Sequence, residues 1–255
     1  MCGRAPRSRA CVCRWRGSLE QREVSFRRLA ALVLVALAVA GCDEARHGGG
    51  TATLWVTRDR GAHVMVDATV PAGQTLIRAL RSRAKVKTRY GGRFVQAIDG
   101  VEGSLGKRHD WFWFVNGLAG DRSAAEYRLH AGDVAWWDYR DWTHDADLPV
   151  VVGAFPEPFL HGYGGKTRPA AVLVTRPVEA SNLDALVRLI HAKGTFRRVA
   201  AVPRGWNILE LVPGAPRFTA HQRVTGGPSS PIVLTFAGDV GKLLAGGFAR
   251  RFSVP

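Results

Sequence analysis

Beyond Cys42 the chain has no cysteine. Residues 43–255 therefore hold no disulfide and no thiolate metal site, and they must fold by burying a core. Catalytic signatures are equally scarce. There is no His-Glu-x-x-His pair, and Ser229-Ser230 sits in a Gly-Pro loop without a nucleophile-elbow pattern. Gly162-Tyr163-Gly164-Gly165-Lys166-Thr167 ends like a phosphate-binding loop, but Leu160 stands where the first glycine belongs. No enzymatic activity is expected. Nor is any apolar run as long as the ~20 residues a spanning helix needs.

What is present begins with a targeting pattern. Arg27-Arg28 precedes an unbroken apolar stretch, Leu29 to Ala40. Its length falls within the roughly 7–15 residues of a signal-peptide apolar region. It runs into Val39-Ala40-Gly41-Cys42, which resembles the lipobox of bacterial lipoprotein signals. Small residues before the cut admit the peptide to a narrow protease site, and the thiol of Cys42 takes the lipid. The expectation is export, cleavage before Cys42 and a lipid anchor on the extracytoplasmic face of the cell membrane. The alternative is a buried apolar helix with an incidental cysteine. Residues 1–23 carry Cys2, Cys11, Cys13 and six arginines with no structural period. Translation from Val24 rather than Met1 would leave a compact basic leader.

The formal charge of +15 is uneven. Asp43 to Asp147 holds 15 basic and 14 acidic residues, whereas Leu148 to Pro255 holds 13 basic and 5 acidic. A basic exported half suits anionic lipid or cell-wall polymer rather than nucleic acid. A basic proteome with no partner implied explains it equally.

Along the chain, Arg46 to Ala52 reads as a flexible tether. Thr53–Thr57 and His63–Val70 read as strands, and Pro71-Ala72-Gly73 as a turn. Gln74 to Arg81 places Leu76, Ile77 and Leu80 at helical spacing. Alternation over Lys85–Arg89 puts basic residues on one face of a strand, either an anion-binding stripe or a charged edge that resists aggregation. Trp111-Phe112-Trp113-Phe114-Val115 is an aromatic strand closed by Asn116-Gly117, a strong hairpin signal. In the second half, Ala170–Thr175 is a buried-type strand. Ser181 begins a helix with Asp184 at the capping-box position, running to Lys193 and closed by Gly194. Phe196–Val202, Asn207–Val212 and Ile232–Phe236 are further strands, and Asp239–Ala245 a last short helix. The expected divisions are 1–41 (extension and signal), 42–51 (lipidated tether), 52–147 (first domain) and 148–255 (a small basic α/β or α+β domain).

Four motifs in order carry a resemblance. They are Pro71-Ala72-Gly73-Gln74-Thr75-Leu76 with Ala79-Leu80; Gly92, Phe94-Val95, Ile98 and Gly100-Val101; Trp111 to Gly117; and Tyr127, Leu129, Gly132-Asp133, Trp136 and Tyr139. Together, from Val70 to Tyr139, they resemble a bacterial domain family related to the carboxy-terminal β-domain of transcobalamin and intrinsic factor. The resemblance implies an α+β fold with a β-grasp-like (ubiquitin-like) first domain. It implies no cofactor, but a cobalamin-like molecule as ligand. In those carriers a helical barrel supplies the other wall of the site, and nothing in residues 148–255 resembles it. A transporter or barrel-bearing partner would then complete the site.

The aromatic set sets the candidate ligand residues: Trp111, Trp113, Trp136, Trp137, Tyr139 and Trp142, with Asn116 beside them. Alternation puts Trp111 and Trp113 on one face of a strand and Phe112 and Phe114 on the other. One face fills the core. The other either meets a flat, partly polar ligand or packs on residues 148–255. Asp138, Asp141, His144, Asp145 and Asp147 cluster, but their spacing fits no calcium loop and they read as a solvated linker. His161 reads as a lone, solvated loop histidine. No metal ligand is assigned.

Overall fold

The computed structural model describes residues 49–254. The signal segment, Cys42 and the start of the tether lie outside the described residues. The described chain is mixed α+β, with two five-stranded sheets and one small three-stranded sheet.

The first sheet has the order β2-β1-β8-β6-β7. Its strands are β1 (Thr51–Arg58), β2 (His63–Pro71), β6 (His109–Val115), β7 (Leu118–Ala119) and β8 (Val134–Asp141). β1 and β8 run parallel at the centre, and the other pairs are antiparallel. α1 (Leu76–Arg81) buries Leu76, Ile77, Ala79 and Leu80. The small sheet joins β3 (Val86–Arg89), β4 (Phe94–Ile98) and β5 (Val101–Glu102). On β3, Lys87 and Arg89 are exposed while Val86 and Thr88 are half-buried, so the alternation of charge follows the pleat.

The Asn116-Gly117 turn between β6 and β7 has φ of 55° and 76°, the left-handed pair that a two-residue hairpin demands. Asn116 is also fully buried. Its amide donates to Asp133 Oδ1 and to the Gly162 carbonyl, and its oxygen accepts the Val134 N–H. It is a structural bracket between the turn, β8 and the following loop.

The second sheet has the order β10-β9-β11-β13-β12. β9 (Ala170–Val174), β10 (Ala192–Phe196), β11 (Asn207–Leu211) and β13 (Ile232–Ala237) are parallel, and β12 (Arg217–Gln222) is an antiparallel edge. Every residue of β9 and β13 is buried, as expected for strands covered on both faces. α2 (Ala180–Leu189) and α3 (Val240–Leu244) contribute Leu186, Val240 and Leu243 to the core. Asp239 caps α3 by accepting the Gly241 N–H.

Four local expectations are corrected. β1 starts at Thr51, so the last residues of the expected tether are strand. α2 starts at Ala180, because the Ser181 hydroxyl donates to the Glu179 carboxylate instead of capping. α2 also ends at Leu189: His191 takes the left-handed turn at φ 51°, and Gly194 falls inside β10. Residues 199–201 then form a 3-10 turn rather than strand.

The two sheets share one core. A single apolar cluster runs from Ala52 and Leu54 through Trp137 and Val152 to Val172, Phe218 and Leu243. A second contact crosses between the halves. The segment around 250–252 returns to the first sheet, where Arg250 pairs with Asp67 of β2, and it is held from the second half by Val152 N–H donating to the Phe252 carbonyl and Arg250 N–H to the Gly153 carbonyl. There Phe252 packs with Phe114, Trp136 and Val151. Among the described residues, no helix is long and apolar enough to cross a membrane.

Candidate functional site

β6 pairs with β8 along its whole length. On its other side β7 covers only Phe114 and Val115, and a bridge from Ser104 reaches His109. Between these, no strand pairs with Asp110 to Trp113 among the described residues. The Trp111 N–H is instead taken by the Asp110 carboxylate at 2.8 Å, and the Trp113 carbonyl accepts the Gly120 N–H at 3.1 Å.

A groove of about 700 Å³ opens along this edge. Its walls come from β4 (Phe94, Val95), β6 (Asp110 to Phe114), α1 (Ile77) and three loops, around 120–124, 146–149 and 222–228. Trp137 and Arg140, on opposite faces of β8, also line it. The volume falls within the roughly 300–1,000 Å³ range of small-molecule sites. At the mouth Phe94 is 41% exposed and its neighbour Tyr90 stands edge-on to it at 6.3 Å.

Arg140 is the singular group. It is 1% exposed, and its guanidinium carbon lies 4.0 Å from the centroid of the Phe112 ring, with Phe252 and Phe114 at 5.4 and 5.6 Å. Nη2 donates to the Asp145 carbonyl at 3.2 Å. Nε and Nη1 have no hydrogen-bond partner among the described residues, and neither has the indole N–H of Trp137. Burial pushes the Arg140 pKa down, opposed by the carboxylates of Asp145 and Asp138. Burial likewise raises Asp110, opposed by the Trp111 N–H and the charge of Arg89. On the rim, Asp121 is held below the usual carboxylate range, chiefly by its hydrogen bond from Arg122 at 2.7 Å.

The aromatic residues expected to form one ligand face divide. Trp111, Trp113 and Trp137 line the groove. Trp136 does not: it lies on the opposite face of β8, fully buried against Phe252 and Phe114, with its N–H on the Thr57 hydroxyl at 2.7 Å. Asn116 is consumed by the hairpin bracket. Tyr139 packs on Trp111 at 5.3 Å and donates its hydroxyl to the Glu102 carbonyl, outside the groove. Trp142 is half-buried beyond β8, its backbone N–H on the Arg108 carbonyl. Both faces of β6 are partly covered, one by the shared core and the other by the returning segment around Phe252, and Phe112 and Trp113 stay half-buried along the groove.

Asp138 is buried rather than presented to a ligand. It accepts from the Thr57 hydroxyl at 2.6 Å and from the Arg60 and Gly61 N–H groups at 3.0 and 2.9 Å. Asp145 holds the Arg60 guanidinium through two hydrogen bonds. His161 is tied to the buried carboxylate of Glu157 by both its backbone and its ring. Among the described residues, no group of three or more His, Cys, Asp or Glu is placed to hold a metal ion. Sequence reading missed Arg140, Asp110, Phe94 and the 222–228 loop. Only Arg140 left a signal: a cation on the same parity as Trp136 within an aromatic strand.

Residues 73–141, from the turn before α1 to the end of β8, match the model of a family described as Domain of unknown function (DUF4430). The resemblance drawn above from Val70 to Tyr139 falls on the same span. No curated protein sequence matches the chain. Among solved structures, haptocorrin in complex with Cbi is similar at a TM-score of 0.31 and 15% identity, over 35% of this chain and 24% of that one. The chain thus spans about a quarter of haptocorrin's length. A "putative metal binding protein" from Ruminococcus gnavus is similar at a TM-score of 0.30 and 15% identity, over 36% of this chain and 98% of that one. Both relationships are distant.

Proposed function

We propose that this protein is a non-catalytic, small-ligand-binding lipoprotein, anchored through Cys42 at the extracytoplasmic face of the membrane, with its binding site in the groove along the outer edge of β6. The observation that carries this reading is the aromatic groove of about 700 Å³, which places Trp111, Trp113, Trp137 and Phe94 around one opening. Rigid aromatic walls bind flat molecules with little loss of side-chain freedom. The first sheet, with its central parallel pair and α1, is read as β-grasp-like. A corrin edge is one flat body that such walls suit. A groove open to solvent would hold only part of a cobalamin-like molecule, leaving room for a transporter or helical-barrel partner on the other side.

The test is a titration of the full chain with cobinamide, following tryptophan fluorescence corrected for corrin absorbance and confirmed by calorimetry. Saturable binding that weakens in Trp113→Ala, with the unfolding midpoint retained, is the expected result. Heat and fluorescence unchanged by cobinamide would remove the corrinoid ligand. The same titration with planar aromatic acids then decides whether the groove binds small molecules at all.

A further inference from the structure

We infer that the ligand of this groove carries an anionic group, a carboxylate or a phosphate, which seats on the guanidinium of Arg140. The inference rests on the groove being a ligand site. Arg140, one of the residues lining the groove, is almost wholly buried and yet leaves Nε and Nη1 without partners among the described residues. A buried polar group is normally satisfied by protein or by whatever occupies the site.

The nearby carboxylates are already engaged. Asp145 holds Arg60 through two hydrogen bonds at 2.6 and 2.9 Å. Asp138 accepts from Thr57, Arg60 and Gly61. Asp110 accepts from the Trp111 N–H. At the rim, Arg122 is paired with Asp121 and Arg93 with Glu126, so neither competes as a free cation. Asp147 lines the groove and is exposed, and it is the one carboxylate left to test. The Phe112 ring lies 4.0 Å from the guanidinium carbon and holds the cation against an aromatic face. A cation held in this way meets a carboxylate or phosphate through charge-assisted hydrogen bonds, which are shorter and stronger than neutral ones. The Trp137 indole N–H is also unpartnered, but it lies on the opposite face of β8 and takes no part in this seat.

The test reads these atoms directly in the full native chain. Nitrogen–proton spectra resolve arginine Nε–H and tryptophan indole N–H resonances, with Arg140→Lys and Trp137→Phe used only for assignment. The probes are benzoate, phenyl phosphate and the neutral benzamide. The expected result is a saturable shift of the Arg140 Nε–H with an anionic probe, with benzamide binding about tenfold more weakly. Preference for benzoate or for phenyl phosphate names the anion. Equal binding of benzamide, or anion shifts confined to exposed arginines, overturns the inference and leaves the groove as a neutral-ligand site. No saturable shift of any groove tryptophan with any probe overturns both. A shift of the free Arg140 resonance in Asp147→Asn as large as that caused by benzoate means that Asp147 is already its partner, and also overturns the inference.

Discussion

Phe252 stands perpendicular to Trp136, with ring centroids 4.9 Å apart, although one residue follows the second sheet and the other lies in the middle of the first. Their contact closes the face of β6 and β8 that carries Phe114. Deleting the Phe252 ring leaves a cavity beside the Phe114 and Trp136 rings and Val151. Phe252→Ala is expected to destabilise by about 3–5 kcal/mol, read from the urea midpoint at constant slope. A loss under about 1 kcal/mol would show that the segment is not part of the core.

Asn116 serves both a left-handed turn and a buried hydrogen-bond bracket. Asn116→Gly keeps the backbone freedom but removes the side-chain partner of the Val134 N–H, of Asp133 Oδ1 and of the Gly162 carbonyl. It is expected to lose roughly 1–3 kcal/mol. Asn116→Ala should lose more than Asn116→Gly, because alanine adds strain at positive φ. Equal stability of the two variants would sink the turn argument.

Asp138 is expected to make stability fall as pH rises. Burial raises its folded pKa, against the hydrogen bonds from Thr57, Gly61 and Arg60 that lower it. Between the ordinary carboxylate pKa and the raised folded value, the folded chain binds more protons than the unfolded chain. Its contribution is therefore present below that window and is lost as pH climbs through the folded pKa. Comparing denaturation of the native chain and Asp138→Asn from acid to neutrality should give a difference that narrows as pH rises. A difference independent of pH would mean that Asp138 is ionised throughout.

The Arg60–Asp145 pair, in contrast, is partly open to water, with side chains 47% and 23% exposed. Asp145→Ala keeps the backbone carbonyl that receives Arg140 and should cost no more than about 1 kcal/mol. A larger loss in thermal or urea unfolding would indicate that the pair also holds Arg140 in place.

The legible parts of the chain were those decided by local pattern. The Asn116-Gly117 turn announced the β6–β7 hairpin, and the apolar run Ala170–Val174 announced a strand buried on both faces. The ends of α2 differ from the local signals for two reasons: the neighbouring Glu179 takes the Ser181 hydroxyl, and pairing of β10 with β9 takes Gly194 into a strand. Parity correctly split the β6 aromatics between two faces but could not show that Phe252 covers one of them. The groove itself joins β4, β6, β8 and the 222–228 loop, segments whose proximity leaves no mark on spacing.

The return of the 250–252 segment to Gly153 and Trp136 also sets an order of events. The aromatic face of the first sheet stays wet until the second sheet has been made and has carried Phe252 back across it. During synthesis that face is an unsealed apolar surface, and the second half carries its late-arriving cover, Phe252.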